Sequence, residues 1–80
     1  MDKNLLKRYL GEAEDQVDKA RIQIARQETL VRVMKREERD VTIAVALMTQ
    51  FENVLKTLEN LRDFILRQLG DELLYGAEDD

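Results

Sequence analysis

The chain has 80 residues, a net charge of −4 and 38% charged residues, with no Cys, His, Pro or Trp. That excludes disulfides, thiolate metal sites and the His- or Cys-based nucleophile–base pairs of common hydrolases, and an acidic chain is a poor general binder of phosphate backbones. The length fits one domain, and a chain this short buries only about 60% of its unfolded surface, so a partner chain is the remaining staple.

The N-terminal stretch MDKNLLKRYLGEAED lacks the long apolar core of a signal peptide, and there is no run of about 18 apolar residues, so no membrane span is expected. Absence of cysteine fits a reducing compartment. Apolar residues then recur at Leu6, Leu10, Ala13, Val17, Ala20, Ile24, Val31 and Met34, with Gln27 the one polar member of the row. Alternating steps of four and three are a heptad seam and predict a helix over about 3–36.

The stretch KREERDVT, 35–42, carries neither Gly nor Pro, yet a turn is expected over about 37–40. Continued past Met34, the first seam lands on Glu38, Val41, Val45, Met48, Glu52, Leu55, Glu59 and Arg62, and half of these are charged. A break near residue 38 removes that conflict. Lys35, Arg36 and Arg39 suit the C-terminal end of a helix dipole. Asp40 can cap a second helix by accepting from N–H groups two or three residues on.

The second helix is predicted over about 41–69, with its seam at Ala44, Leu47, Phe51, Val54, Leu58, Leu61, Ile65 and Gln68. Gly70 reads as a stop. Residues 71–80 read as an acidic tail, whose DELLYG segment caps the open end or serves as a short partner motif. Folded antiparallel, the halves pair Val31 with Leu47, Gln27 with Phe51, Ile24 with Val54, Val17 with Leu61, Ala13 with Ile65 and Leu10 with Gln68. The expected fold class is all-α, an antiparallel two-helix hairpin over 1–70. Two uninterrupted helices crossing near residue 39 in a swapped dimer would make the same contacts, but the short linker favours the hairpin.

A second apolar set flanks the seams: Leu5, Tyr9, Ile22, Leu30 and Val33 on the first helix, Met48, Leu55, Leu66 and Leu69 on the second. Two helices cannot cover both sets, and the simplest closure is a two-fold homodimer forming a four-helix bundle. Gln27, inside the seam, reads as a register device rather than a ligand contact.

No chemistry competes with this reading. A di-iron bundle needs inward Glu and Glu-x-x-His pairs, and no seam position holds a carboxylate. Gly11, Gly70 and Gly76 are isolated, so there is no phosphate-cradling loop. No catalytic, cofactor-binding or metal-ligating residue is expected. Residues 19–36 are locally basic, with Lys19, Arg21, Arg26, Arg32, Lys35 and Arg36 against Glu28 alone. A nucleic-acid face is one reading of them; balance against the acidic second half is the simpler one.

The stretches AEDQVDKARIQIARQETLV, 13–31, and LMTQFENVLKTLENLRDFILRQLG, 47–70, resemble short helical proteins of alphaproteobacteria, rhizobia especially, that have no assigned activity. The shared features are an ARQ on the first helix (Ala25, Arg26, Gln27), an FE…L segment and a late R…IL…L. Those proteins often carry His where this chain has Gln16, and a Gly-containing loop at Glu38 and Arg39. The resemblance implies a helical hairpin from a bacterium, with a cytoplasmic location, and implies no activity. The expected function is a non-enzymatic, self-associating protein–protein interaction module. The alternatives are a small RNA- or DNA-associated regulator using residues 19–36, and an adaptor or chaperone that binds a partner helix.

Overall fold

The computed structural model describes residues 2–75, with side chains as far as residue 72. It is an all-α hairpin of two helices, α1 (Lys3–Arg36) and α2 (Thr42–Tyr75), in a rod with extents of 63 × 14 × 13 Å. Asp2 starts α1: its backbone is extended and its carboxylate accepts from the Asn4 amide at 2.9 Å, so one orphan donor of the first turn is satisfied. Lys35 and Arg36 close the helix where cations are favoured.

The turn works without glycine. Glu38 takes the left-handed conformation, φ 58°. Around it the Glu38 amide donates to the Lys35 carbonyl at 3.1 Å and the Arg39 amide to the Met34 carbonyl at 2.9 Å. These two bonds are a Schellman motif, which usually places Gly where Glu38 stands. Asp40 then redirects the chain. Its Oδ1 accepts from the Thr42 amide at 2.9 Å and the Thr42 hydroxyl at 2.6 Å. The helix begins at Thr42, with Val45 donating to the Val41 carbonyl at 2.8 Å.

On α1 all nine seam positions are buried or half-buried, with Leu6 and Val17 each 2% exposed. The row of α2 that faces them is Val41, Ala44, Met48, Phe51, Leu55, Leu58, Arg62, Ile65 and Leu69, every member buried or half-buried. This corrects the expected seam at three positions. Leu47, Val54 and Leu61 are 45%, 51% and 47% exposed, while Met48 and Leu55, expected outside, turn in. Leu47, Val54 and Leu61 therefore lie at the edge of the seam rather than in the buried row opposite Val31, Ile24 and Val17.

The cause lies in α2 itself. Its apolar sector is three rows wide, centred on Ala44, Phe51, Leu58 and Ile65, and either flank can turn inward. Arg62 interrupts the Met48–Leu55–Leu69 flank. In the fold the Arg62 side chain is 26% exposed, with its guanidinium on Asp63 at 3.0 Å, so the stem packs while the charge stays wet.

Gly70 does not stop α2, which runs through it to Tyr75. No atom lies within 4 Å of a Cβ placed there, so the glycine meets no crowding in the helix. Leu69 beside it is 7% exposed and clusters with Leu6, Ala13 and Ile65, which anchors these turns. Residues 71–75 of the expected tail are helical. The remaining five, 76–80, lie outside the described residues, as do the side chains of 73–75 on which the expected cap rests.

Candidate functional site

The packing assigns heptad positions. On α1, Leu10, Val17, Ile24 and Val31 take a, and Leu6, Ala13, Ala20, Gln27 and Met34 take d. On α2, Met48, Leu55, Arg62 and Leu69 take a, and Ala44, Phe51, Leu58 and Ile65 take d. In an antiparallel pair the e rows of both helices share one side of the seam and the g rows share the other. Two contacts confirm this division. Arg21 and Glu59, both at e, pair across the helices at 3.1 Å. An open groove of about 380 Å³ on the opposite side is lined by Tyr9, Gln16 and Leu61 at g, and by Glu12 and Phe64 at the neighbouring c.

The two sides differ in kind. The e row reads Lys7, Glu14, Arg21, Glu28, Lys35 on α1 and Val45, Glu52, Glu59, Leu66 on α2, seven of nine charged. The g row reads Tyr9, Gln16, Gln23, Leu30 and Leu47, Val54, Leu61, Gln68, with no charge at all. Side e is a solvated face. Side g carries Tyr9, Leu30, Leu47, Val54 and Leu61, each between 43% and 51% exposed. Val33, Ile43 and Phe64 at c extend it. Thr57, also at c, bonds its hydroxyl to the Asn53 carbonyl at 3.1 Å, so its polar group is engaged within α2.

The expected second apolar set is therefore redistributed. Tyr9, Leu30 and Val33 lie on this face, joined by Leu47, Val54 and Leu61 from the expected seam. Met48 and Leu55 belong to the hairpin core. Ile22 is exposed on the outer side of α1, and Leu66 lies at e. Sequence reasoning left Ile43 and Phe64 unassigned. The signal that could have found them is a c row on α2, Ile43, Gln50, Thr57 and Phe64, free of charge over four heptads.

Gln27 is half-buried, and its Nε2 donates to the Ala44 carbonyl of α2 at 2.8 Å. It spans the two helices next to the turn. The basic residues of 19–36 do not gather: Arg21 and Lys35 lie at e, Lys19 and Arg26 at c, Arg32 at b and Arg36 at f. Lys19 is paired with Asp15 at 2.9 Å and Arg21 with Glu59. Among the described residues no group of His, Cys, Asp and Glu is placed to hold a metal ion, and no helix is long and apolar enough to cross a membrane.

The accessible surface is 6214 Å². A globular monomer of 9.4 kDa exposes about 5,000 Å². The surplus comes from the elongated two-helix shape. Compared with protein-family models, curated proteins and solved structures, the chain has no match among any of them.

Proposed function

We propose that this protein is a non-enzymatic, self-associating protein–protein interaction module, and that its uncharged g side is the contact surface. The observation that carries the reading is the contrast between the two sides of one hairpin: charge fills most of the e row and is missing from the g row along both helices. A monomer has no reason to keep the row beside its seam free of charge, because exposed Leu and Val gain nothing from water. Pairing two such sides makes a four-helix bundle with a closed core, and a location in the reducing cytoplasm accords with the lack of Cys.

A nucleic-acid reading finds less support, since the cations of residues 19–36 point around α1 instead of forming a stripe. The adaptor reading uses the same side for a foreign helix and differs only in the occupant. Sedimentation equilibrium of the chain alone decides between them. A dimer at micromolar concentration, made monomeric by Val54→Glu or Leu61→Glu with helix content retained, is the expected result. A chain that stays monomeric up to about 100 μM overturns self-association.

A further inference from the structure

We infer that the second copy docks antiparallel, α1 on α1 and α2 on α2, about a two-fold axis that crosses α1 at Lys19. The inference rests on the self-association just proposed and adds its geometry. Stacking two hairpins face to face allows two symmetric arrangements. With the two-fold axis along the rod, both turns lie at one end and α1 covers α2 of the second copy. With the axis across the rod, the turns lie at opposite ends and each helix covers its own equivalent.

The outward row of α1 distinguishes them. Its g and c positions read Leu5, Tyr9, Glu12, Gln16, Lys19, Gln23, Arg26, Leu30, Val33. Read from Lys19 in either direction, the row gives Gln, then a charge, then two apolar residues. An isologous interface is self-complementary, so residues equidistant from the axis meet. Leu5 then meets Val33 of the second copy, Tyr9 meets Leu30, Gln16 meets Gln23 and Glu12 meets Arg26. The one charged pair off the axis is of opposite sign, and it occurs twice in the dimer. Within one chain Glu12 and Arg26 lie about 21 Å apart along α1, so the complementarity has no use inside the monomer.

Lys19 faces its own copy on the axis. Each Lys19 carries a counter-ion, Asp15 at 2.9 Å, so two neutralised pairs approach rather than two bare cations. On α2 the same axis sets Val54 against Leu61 of the second copy. The alternative arrangement places Gln16 against Leu61, Gln23 against Val54 and Glu12 against Phe64, leaving polar groups on apolar side chains, where an unpaired one is costly to cover; Gln68 aside, the antiparallel arrangement does so only in the c row of α2, where Gln50 meets Phe64 and Asp71 meets Ile43. Gln68 meets an apolar residue in both arrangements and does not discriminate. The covered area is adequate: a face about 45 Å long and 20 Å wide is roughly 900 Å² per protomer, against about 800 Å² in a standard interface.

The chain has no cysteine, so single-cysteine variants read the geometry directly. Oxidised Lys19→Cys is expected to form a covalent dimer, and a mixture of Glu12→Cys and Arg26→Cys a mixed one. Glu12→Arg and Arg26→Glu should each weaken the dimer about tenfold, and the double reversal should restore it. A dimeric wild type in which Lys19→Cys stays uncrosslinked, while mixed Gln16→Cys and Leu61→Cys couple, overturns the antiparallel geometry and leaves self-association standing. A double reversal no better than the singles overturns it too. A monomeric wild type overturns both proposals together.

Discussion

Glu38 holds a left-handed backbone that costs a side-chain-bearing L-residue about 1–2 kcal/mol, and the Schellman bonds around it keep it there. Glu38→Gly removes that cost but enlarges the freedom of the unfolded chain. The expected net gain is about 0.5–1 kcal/mol, read as a higher urea midpoint at unchanged slope. Two residues on, Asp40 is fully exposed, yet the hydroxyl and then the amide of Thr42 hold its carboxyl below the usual Asp range. Because the folded pKa lies below the unfolded one, its contribution is present above about pH 4 and fades as pH falls through the folded value. Asp40→Asn keeps an acceptor but loses the titration. Urea midpoints between pH 2 and 5 should therefore fall less steeply with acid than in the wild type; equal slopes would show that the carboxyl contributes nothing.

At the scale of the elements, α1 was readable and the rotation of α2 was not. The α1 seam is bounded by charge on one side and by glutamines on the other, so a single set of positions qualifies. On α2 three adjacent apolar rows compete, and helical periodicity alone cannot rank them. The turn sets the angle at which α2 leaves, and Gln27 to Ala44 and Arg21 to Glu59 fix it from the sides. Gln27 shows what such a polar seam residue does. Its acceptor, the Ala44 carbonyl, already belongs to the α2 ladder, so losing the donor strands no buried group. Gln27→Leu should leave stability unchanged or raise it by up to about 1 kcal/mol, at some loss of uniqueness in how the helices register. A drop of more than about 2 kcal/mol in urea titration would mean the amide holds the hairpin together instead.

At the scale of the whole molecule, the eight buried apolar residues among those described are a small core for a 63 Å rod. Stability should therefore be linked to assembly. Ile65, 6% exposed, sits inside the hairpin, and Leu61, 47% exposed, lies on the uncharged side. Ile65→Ala should cost about 2–5 kcal/mol at every protein concentration. Leu61→Ala should act mainly through dimer dissociation, so its deficit in thermal midpoint should be small where both proteins are monomeric and should grow, then level off, as protein concentration rises. Melting curves of both variants over a hundredfold concentration range separate the two. Parallel, concentration-independent deficits would place Leu61 in the monomer's own energetics.

By itself the sequence determined that the chain is helical, where it breaks and which stripe of α1 is covered, because these follow from local periodicity, phase and charge. Only the tertiary structure decided which flank of α2 turns inward, since that choice depends on how a glycine-free turn and two cross-helix bonds aim a helix with three apolar rows. The same rotation gathered Leu47, Val54 and Leu61 beside Tyr9 and Leu30. Residues that sequence spacing assigned to two different surfaces thereby became one face, because a rotation by one heptad row exchanges what is buried within the hairpin for what is left exposed.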